Sequence, residues 1–424
     1  MENPTNEWLI SAAYGTDCRK RVSPELSAFY SSAVERLWFR LGESFAPSPM
    51  PQPVLEVVHS LVARPTVFRS DNSETLVYDQ HLGQICNRLT RLALEDAPVQ
   101  AVDQYVYRLF AQRSFVAGKF RSAALFGLLA KAQSADSWAP SLDSAALVGC
   151  SRLVAAQETF ILGHELVHSH LSQNKGGPNE RVSWYADLMS SVHKAPFHHA
   201  DFPNVSDPDQ IVSVFDQEYA DSIRSALQRR GVSDMDIPSK VRKPGETASL
   251  LGTRERMAEI LSSNSELLEE CVCDAFAVIA GSKVLVRHGL NILDVASGAV
   301  LALHHLRLIQ FLDRVASNRL GIDDIPSLFS LSDSFAQAVA RVSMLRAFIV
   351  AILVMNKEAE VAQAVHRRLI DLNRIHATVI FDQVLHCMDF PATRSRLGEI
   401  PEVAESVEDL EADWKALKSL LGFV

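Results

Sequence analysis

The sequence predicts a mainly α protein of the α+β class, and three observations carry that expectation. Long stretches place apolar residues three and four apart, the period of a helix with one buried face. Only one short segment carries paired β-type runs, set around a turn-forming tetrapeptide. The strongest helical stretch, LVAAQETFILGHELVHSHL at 153–171, contains no proline.

The elements follow in order. Residues 1–45 form an N-terminal helical segment, clearest in SPELSAFYSSAVERLWFRLGE at 23–43. APSPMPQP at 46–53 breaks it, because proline lacks a donor and fixes its own φ. PTVFRS, DNSE and TLVYD then predict a hairpin at about 65–79. HLGQICNRLTRLAL and VDQYVYRLFAQRSFVAGKFRSAALFGLLAKA return to the helical period. A loop, DSWAPSLDS at 136–144, introduces the 153–171 helix, and SQNKGGPNE at 172–180 ends it with two glycines and a proline. After an irregular polar stretch at 195–210 come a helical group to about 283 and three long apolar helices near 289–316, 330–356 and 359–388. A polar tail helix is expected at 404–421. The expected organisation is an N-terminal segment 1–45, a central domain 54–283 with an insertion at about 172–250, and a C-terminal helical region 284–424.

Composition limits the function classes. The 424 residues suffice for a sizeable core, and 47% apolar with 22% charged residues is globular rather than disordered. A net charge of −10 argues against general binding to nucleic acid or an anionic membrane, both of which need a basic footprint. The most apolar run, AFIVAILVM at 347–355, is about half of the roughly 20 residues a bilayer span needs, so a buried helix is expected. The start MENPTNEWLI shows no secretory pattern, and six cysteines in this length do not make a disulfide scaffold. A soluble protein of the reducing cytoplasm is expected.

The chemistry lies in ILGHELVHSH at 161–170. On a helix, His164 and His168 stand about 40° apart and one turn along, so both imidazoles can reach one metal ion. Glu165, rotated by about 100°, stays out of the ligand set but near water activated by the metal. That is the arrangement for zinc-assisted peptide hydrolysis with the glutamate as general base. The competing reading is an ordinary core helix, but two histidines and a glutamate on an apolar helix are costly to bury without partners. Gly163 removes bulk just before the first ligand.

A catalytic zinc needs a third protein ligand. His170 is turned away from the other two, and SHLSQNKGG lacks the glycine and histidine of the metzincin continuation. Two later segments compete: NERVSWYADLMSS, with Glu180 at a helix start, and SNSELLEECVCDAFAVIAG at 263–281. In the second, Ser263 and Glu266 have capping-box spacing, and Leu268, Val272, Ala275 and Ile279 form an apolar stripe. Glu270 and Asp274 then lie one turn apart, two carboxylates that call for a positive partner. A metal with its histidine ligands would supply one, and Asp274 would accept the free N–H of a ligand histidine. The competing reading is a solvated acidic patch of Glu266, Glu269, Glu270 and Asp274. Cys271 and Cys273 diverge on the helix and read as small buried residues.

HELVH followed by E270-C-V-C-D274-A-F-A resembles the gluzincin metallopeptidases. The glutamate helix is similar to those of the heat-shock and CAAX-prenyl type membrane peptidases and of the ImmA/IrrE-type regulatory peptidases. Phage-exclusion proteases of the Lit type are a looser comparison. The resemblance implies a zincin-like helical core in which His164, His168 and Glu270 hold one zinc ion per chain. It further implies Glu165 as the base and Asp274 outside the ligand set. For the oxyanion, Tyr185 and His193 are candidates, with His198, His199 and Tyr219 behind them. The expected activity is that of a soluble intracellular zinc endopeptidase with a protein or peptide substrate. The hairpin is expected either to offer a strand edge to substrate or to brace the helices. The rival expectation is a helical interaction or scaffold protein with a vestigial or structural metal site.

Overall fold

The computed structural model describes residues 6–19, 22–45, 51–70, 73–95, 97–133, 144–173, 221–229, 264–317 and 334–389. The architecture is mainly α with one small sheet, as the helical periodicity requires. In chain order, α1 (Asn6–Tyr14) and α2 (Pro24–Phe45) precede three strands, β1 (Val54–Val58), β2 (Thr66–Ser70) and β3 (Ser73–Asp79). Four helices follow: α3 (Gln80–Leu94), α4 (Val99–Val116), α5 (Phe120–Ala132) and α6 (Ser144–Gln173). After a helical stretch at 221–229 come α7 (Ser265–Leu285), α8 (Ile292–Ala316), α9 (Ser334–Met355) and α10 (Ala359–Ile375). A π-helical turn (His376–Phe381) then leads into α11 (Asp382–Asp389).

The predicted hairpin is present: β2 and β3 pair antiparallel, with Val67 opposite Leu76. It is joined by a strand the sequence reading missed, because β1 pairs parallel to β3 and the order is β1-β3-β2. β1 follows the proline-rich break, which masked its short VLEVV run. The connection from β1 to β2 is pinned by buried Asp79. Its carboxylate accepts from the backbone N–H groups of Ser60 and Ala63 at 3.0 and 2.9 Å and caps α3 through His81 N–H at 3.0 Å. Buried Arg113 holds the same loop from α4, donating to the Leu61 and Val62 carbonyls at 2.8 and 3.0 Å.

Two boundaries differ from the expectation for local reasons. The stretch read as continuous through FVAGKF divides into α4 and α5 at Gly118, whose φ of +73° a helix cannot contain. Ser263 lies outside the described residues, and α7 is capped by Asn264, whose side chain accepts from Leu267 N–H at 3.0 Å.

Central α6 packs against α2, α3, α7 and α8 and touches β2 and β3. One hydrophobic core runs through all three expected segments, joining Val34 and Leu37 to Leu166 and Cys271 and to Leu308 and Leu385. The C-terminal helices are therefore part of the same packing as α6. Among the described residues α8 is the one helix long and apolar enough to cross a bilayer, and 78% of its apolar window is buried within the fold. The 347–355 run forms the second half of α9, where Phe348, Ile349 and Val350 are buried.

Candidate metal centre

The site forms where the C-terminal part of α6 meets the first half of α7. Gly163 allows the approach: a Cβ there would lie 3.3 Å from Ala277 Cα, tighter than ordinary van der Waals contact. With the helices this close, His164, His168 and Glu270 each offer one donor atom, all within 4.8 Å of one another. Among the described residues no other group of three histidine, cysteine, aspartate or glutamate side chains converges in this way.

The distances test whether a metal fits. A tetrahedral ion with bonds of about 2.0–2.1 Å needs donors roughly 3.3 Å apart. The two Nε2 atoms of His164 and His168 stand 3.1 Å apart. His164 Nε2 lies 3.3 Å from Glu270 Oε2, and His168 Nε2 lies 3.2 Å from Glu270 Oε1. Each imidazole thus faces a different oxygen of Glu270, and one donor atom from each of the three side chains falls within 4.8 Å of the others, close enough for a shared ion. His164 is buried, whereas His168 and Glu270 keep side-chain exposures of 20% and 27%. The group thus has a closed side and an open one among the described residues.

Both imidazoles turn Nε2 inward and are steadied from behind. Nδ1 of His164 lies 2.9 Å from Asp274 Oδ1, with its N–H aimed somewhat off that oxygen, and Nδ1 of His168 lies 3.2 Å from Glu269 Oε1. Carboxylates in these positions fix the ring orientation and favour the tautomer with its proton on Nδ1. The contact to Asp274 was expected. Glu269, placed in sequence with an acidic patch, is the partner of the second histidine.

A further group was not foreseen. Arg341 of α9 donates from Nε and Nη2 to both Asp274 oxygens at 2.8 and 2.7 Å and stands 2.6 Å from Glu270 Oε2 through Nη1. The positive partner demanded by the paired carboxylates therefore includes a guanidinium as well as the histidines. No signal in the local sequence marks it, because Arg341 follows Asp274 by 67 residues.

The electrostatics follow from this crowding. Burial opposes charge on Glu270 and Asp274, but the histidines and Arg341 outweigh it and hold both carboxyls below the usual range. Burial likewise opposes charge on His164 and His168. Asp274 and Glu270 reverse this for His164; Cys273, Glu269 and Glu270 do so for His168. Burial pushes the Cys273 thiol up to about 12 despite the adjacent His168, so it stays protonated, and Cys271 Sγ packs 3.2 Å from Met344 Sδ.

Glu165 lies on α6 between the two histidines and is partly exposed. It faces the sheet side, where its charge reinforces the effect of burial in raising the Tyr14 phenol. Tyr14 itself is committed, with its hydroxyl 2.7 Å from the Arg64 carbonyl and 2.9 Å from Thr66 Oγ1. His170 is turned away, stacked on Trp38 with ring centroids 3.8 Å apart, and burial pulls it down to about 4. The hairpin braces α6: Ser169 and Ser172 both donate to Glu74 of β3, the second at 2.9 Å. Glu180, Tyr185, His193, His198, His199 and Tyr219 lie outside the described residues, as do all but Ser144 of the loop expected at 136–144 and the tail helix expected at 404–421.

The chain matches no protein-family model, no curated protein and no solved structure. What the fold and the site define is a mainly α protein with a His164–His168–Glu270 group that could hold a metal ion.

Proposed function

We propose that the chain is a zinc-dependent endopeptidase that cleaves a protein substrate inside the cell. The observation that carries this reading is the convergence of the three donors within 4.8 Å, the two Nε2 atoms 3.1 Å apart, with Glu165 on the same helix. His164, His168 and Glu270 would hold the ion. Zinc, when bound, supplies Lewis acidity that polarises a substrate carbonyl and makes water reactive near neutral pH. Glu165 takes the proton of the attacking water on a carboxylate oxygen and returns it to the leaving amine nitrogen. Asp274 and Glu269 keep both imidazoles in register. An intracellular setting is supported by six free, buried cysteines.

Protein purified without added zinc is expected to carry close to one equivalent, lost on His164→Ala. A wild type that neither carries nor acquires zinc would sink the reading. Glu165→Gln is expected to keep its zinc and to lose cleavage of proteins in a whole-cell extract; identical cleavage patterns would remove Glu165 as the base. A second reading, a helical interaction protein with a vestigial or structural site, draws support from Arg341. That guanidinium pairs with both Glu270 and Asp274 and supplies part of the positive charge they call for.

A further inference from the structure

A cavity of about 310 Å³ lies on a different side of α6 from the metal centre. Its walls come from α2, α6 and the end of α7, and Phe29, Ala33, Leu162, Val284, Leu285 and Leu290 make it largely apolar. Glu158 breaks that character. It precedes His164 by less than two turns and is rotated about 120° from it, so it belongs to a separate site.

The fold makes room for this carboxyl and half satisfies it. A Cβ on Gly83 of α3 would fall 2.0 Å from Glu158 Oε1, so a glycine there is what lets the group sit where it does. Oε1 accepts two hydrogen bonds, from Tyr30 and Tyr78 hydroxyls at 2.7 and 2.9 Å. Oε2 takes none from the described residues. The charged groups around the cavity are few: Arg36 and His288 contact each other at its edge, and only the two tyrosines oppose the effect of burial on Glu158. Glu158 is partly exposed, so a carboxyl that lines a largely apolar cavity with one oxygen free of hydrogen bonds from the described residues offers a cation a charge-assisted partner.

We propose that this cavity is a binding site for a small amphipathic amine, its apolar body against the cavity walls and its protonated amino group on Glu158 Oε2. At about 30 Å³ for each water-sized group, the space suits roughly ten non-hydrogen atoms. The site shares no residue with the metal group, so it stands whether or not the chain is a peptidase. The cavity and the metal group share two helices, α6 and α7, so an occupant would sit against the helices that hold His164 and Glu270.

The test is calorimetric titration of the full chain with n-octylamine, n-octanol and octanoate. Saturable binding of octylamine is expected, weaker binding of octanol and none of octanoate. Glu158→Gln is expected to weaken octylamine by about tenfold or more while octanol holds, since a charge-assisted bond is worth about 1.5–3 kcal/mol. Ala33→Phe, which puts a ring into the cavity and leaves the carboxyl in place, is expected to abolish binding of both. The proposal is overturned if the wild type does not bind octylamine, if octanoate binds as tightly, or if a folded Glu158→Gln protein binds the amine unchanged. Should Glu158→Gln fail to fold, the three probes on the wild type and Ala33→Phe still decide.

Discussion

Arg341 engages all three of its guanidinium nitrogens with Asp274 and Glu270, the same carboxylates that meet the two histidines. Removing it strands two largely buried negative charges. Arg341→Gln is expected to destabilise the zinc-free protein by about 3 kcal/mol or more, and the zinc-loaded protein by clearly less. Denaturant melts with and without zinc measure the difference; equal losses would mean that the ion and the guanidinium do not share those carboxylates. Asp274→Asn is expected to weaken zinc binding by about 10- to 100-fold in chelator competition, through the orientation of His164 and the hold on Arg341. At this scale the sequence was legible where chemistry is local. His164, Glu165 and His168 sit within one turn of a helix whose period fixes their directions. Glu270 and Asp274 were legible for the same reason. Glu269 was not, because neighbouring helical residues differ by about 100° and the sequence does not say which of two carboxylates meets which histidine.

Helix packing sets the precision of the site. Gly163 lies against Ala277, whereas Gly149, on the exposed start of the same helix, has nothing within 4 Å of its missing Cβ. Gly163→Leu is therefore expected to cost about 1–3 kcal/mol by forcing α6 and α7 apart, and to lower zinc occupancy with it. Gly149→Ala is expected to stabilise the protein by about 0.5–1 kcal/mol through helix propensity and to leave zinc unchanged. Thermal melts and metal analysis of the pair separate packing from propensity. A Gly163→Leu protein with normal zinc content would show that the helix spacing does not control the ligands. Most helices were readable from apolar periodicity. β1 was not, because a five-residue strand after a proline-rich break has no partner visible nearby. Its pairing with β3 is decided by tertiary contact, as strand preferences commonly are.

Taken whole, the molecule buries histidines outside the metal group. His304 and His376 stack with centroids 4.8 Å apart, and His305 Nδ1 meets Gln157 Oε1 at 2.8 Å. Burial pulls His305 down to about 3 and His366 to about 4, and holds His304 and His376 well below the ordinary value. The unfolded chain takes up protons near pH 6.5 and the folded chain does not, so stability falls as pH drops below about 6.5. The slope is up to about 1.4 kcal/mol per pH unit for each such ring. Glu270 and Asp274, held low, add to the loss only below the ordinary carboxylate range. A melting temperature that stays flat between pH 6.5 and 5 would show these rings to be solvated.

The place of Arg341 in the chain has a consequence for synthesis. A ribosome releases HELVH before the glutamate helix, and the guanidinium that pairs with both carboxylates emerges 67 residues after Asp274. Until then the nascent chain carries histidines and carboxylates without the α9 cation that α7 is built to meet. The charge balance of the group is therefore completed only once α9 has been made, after α6 and α7.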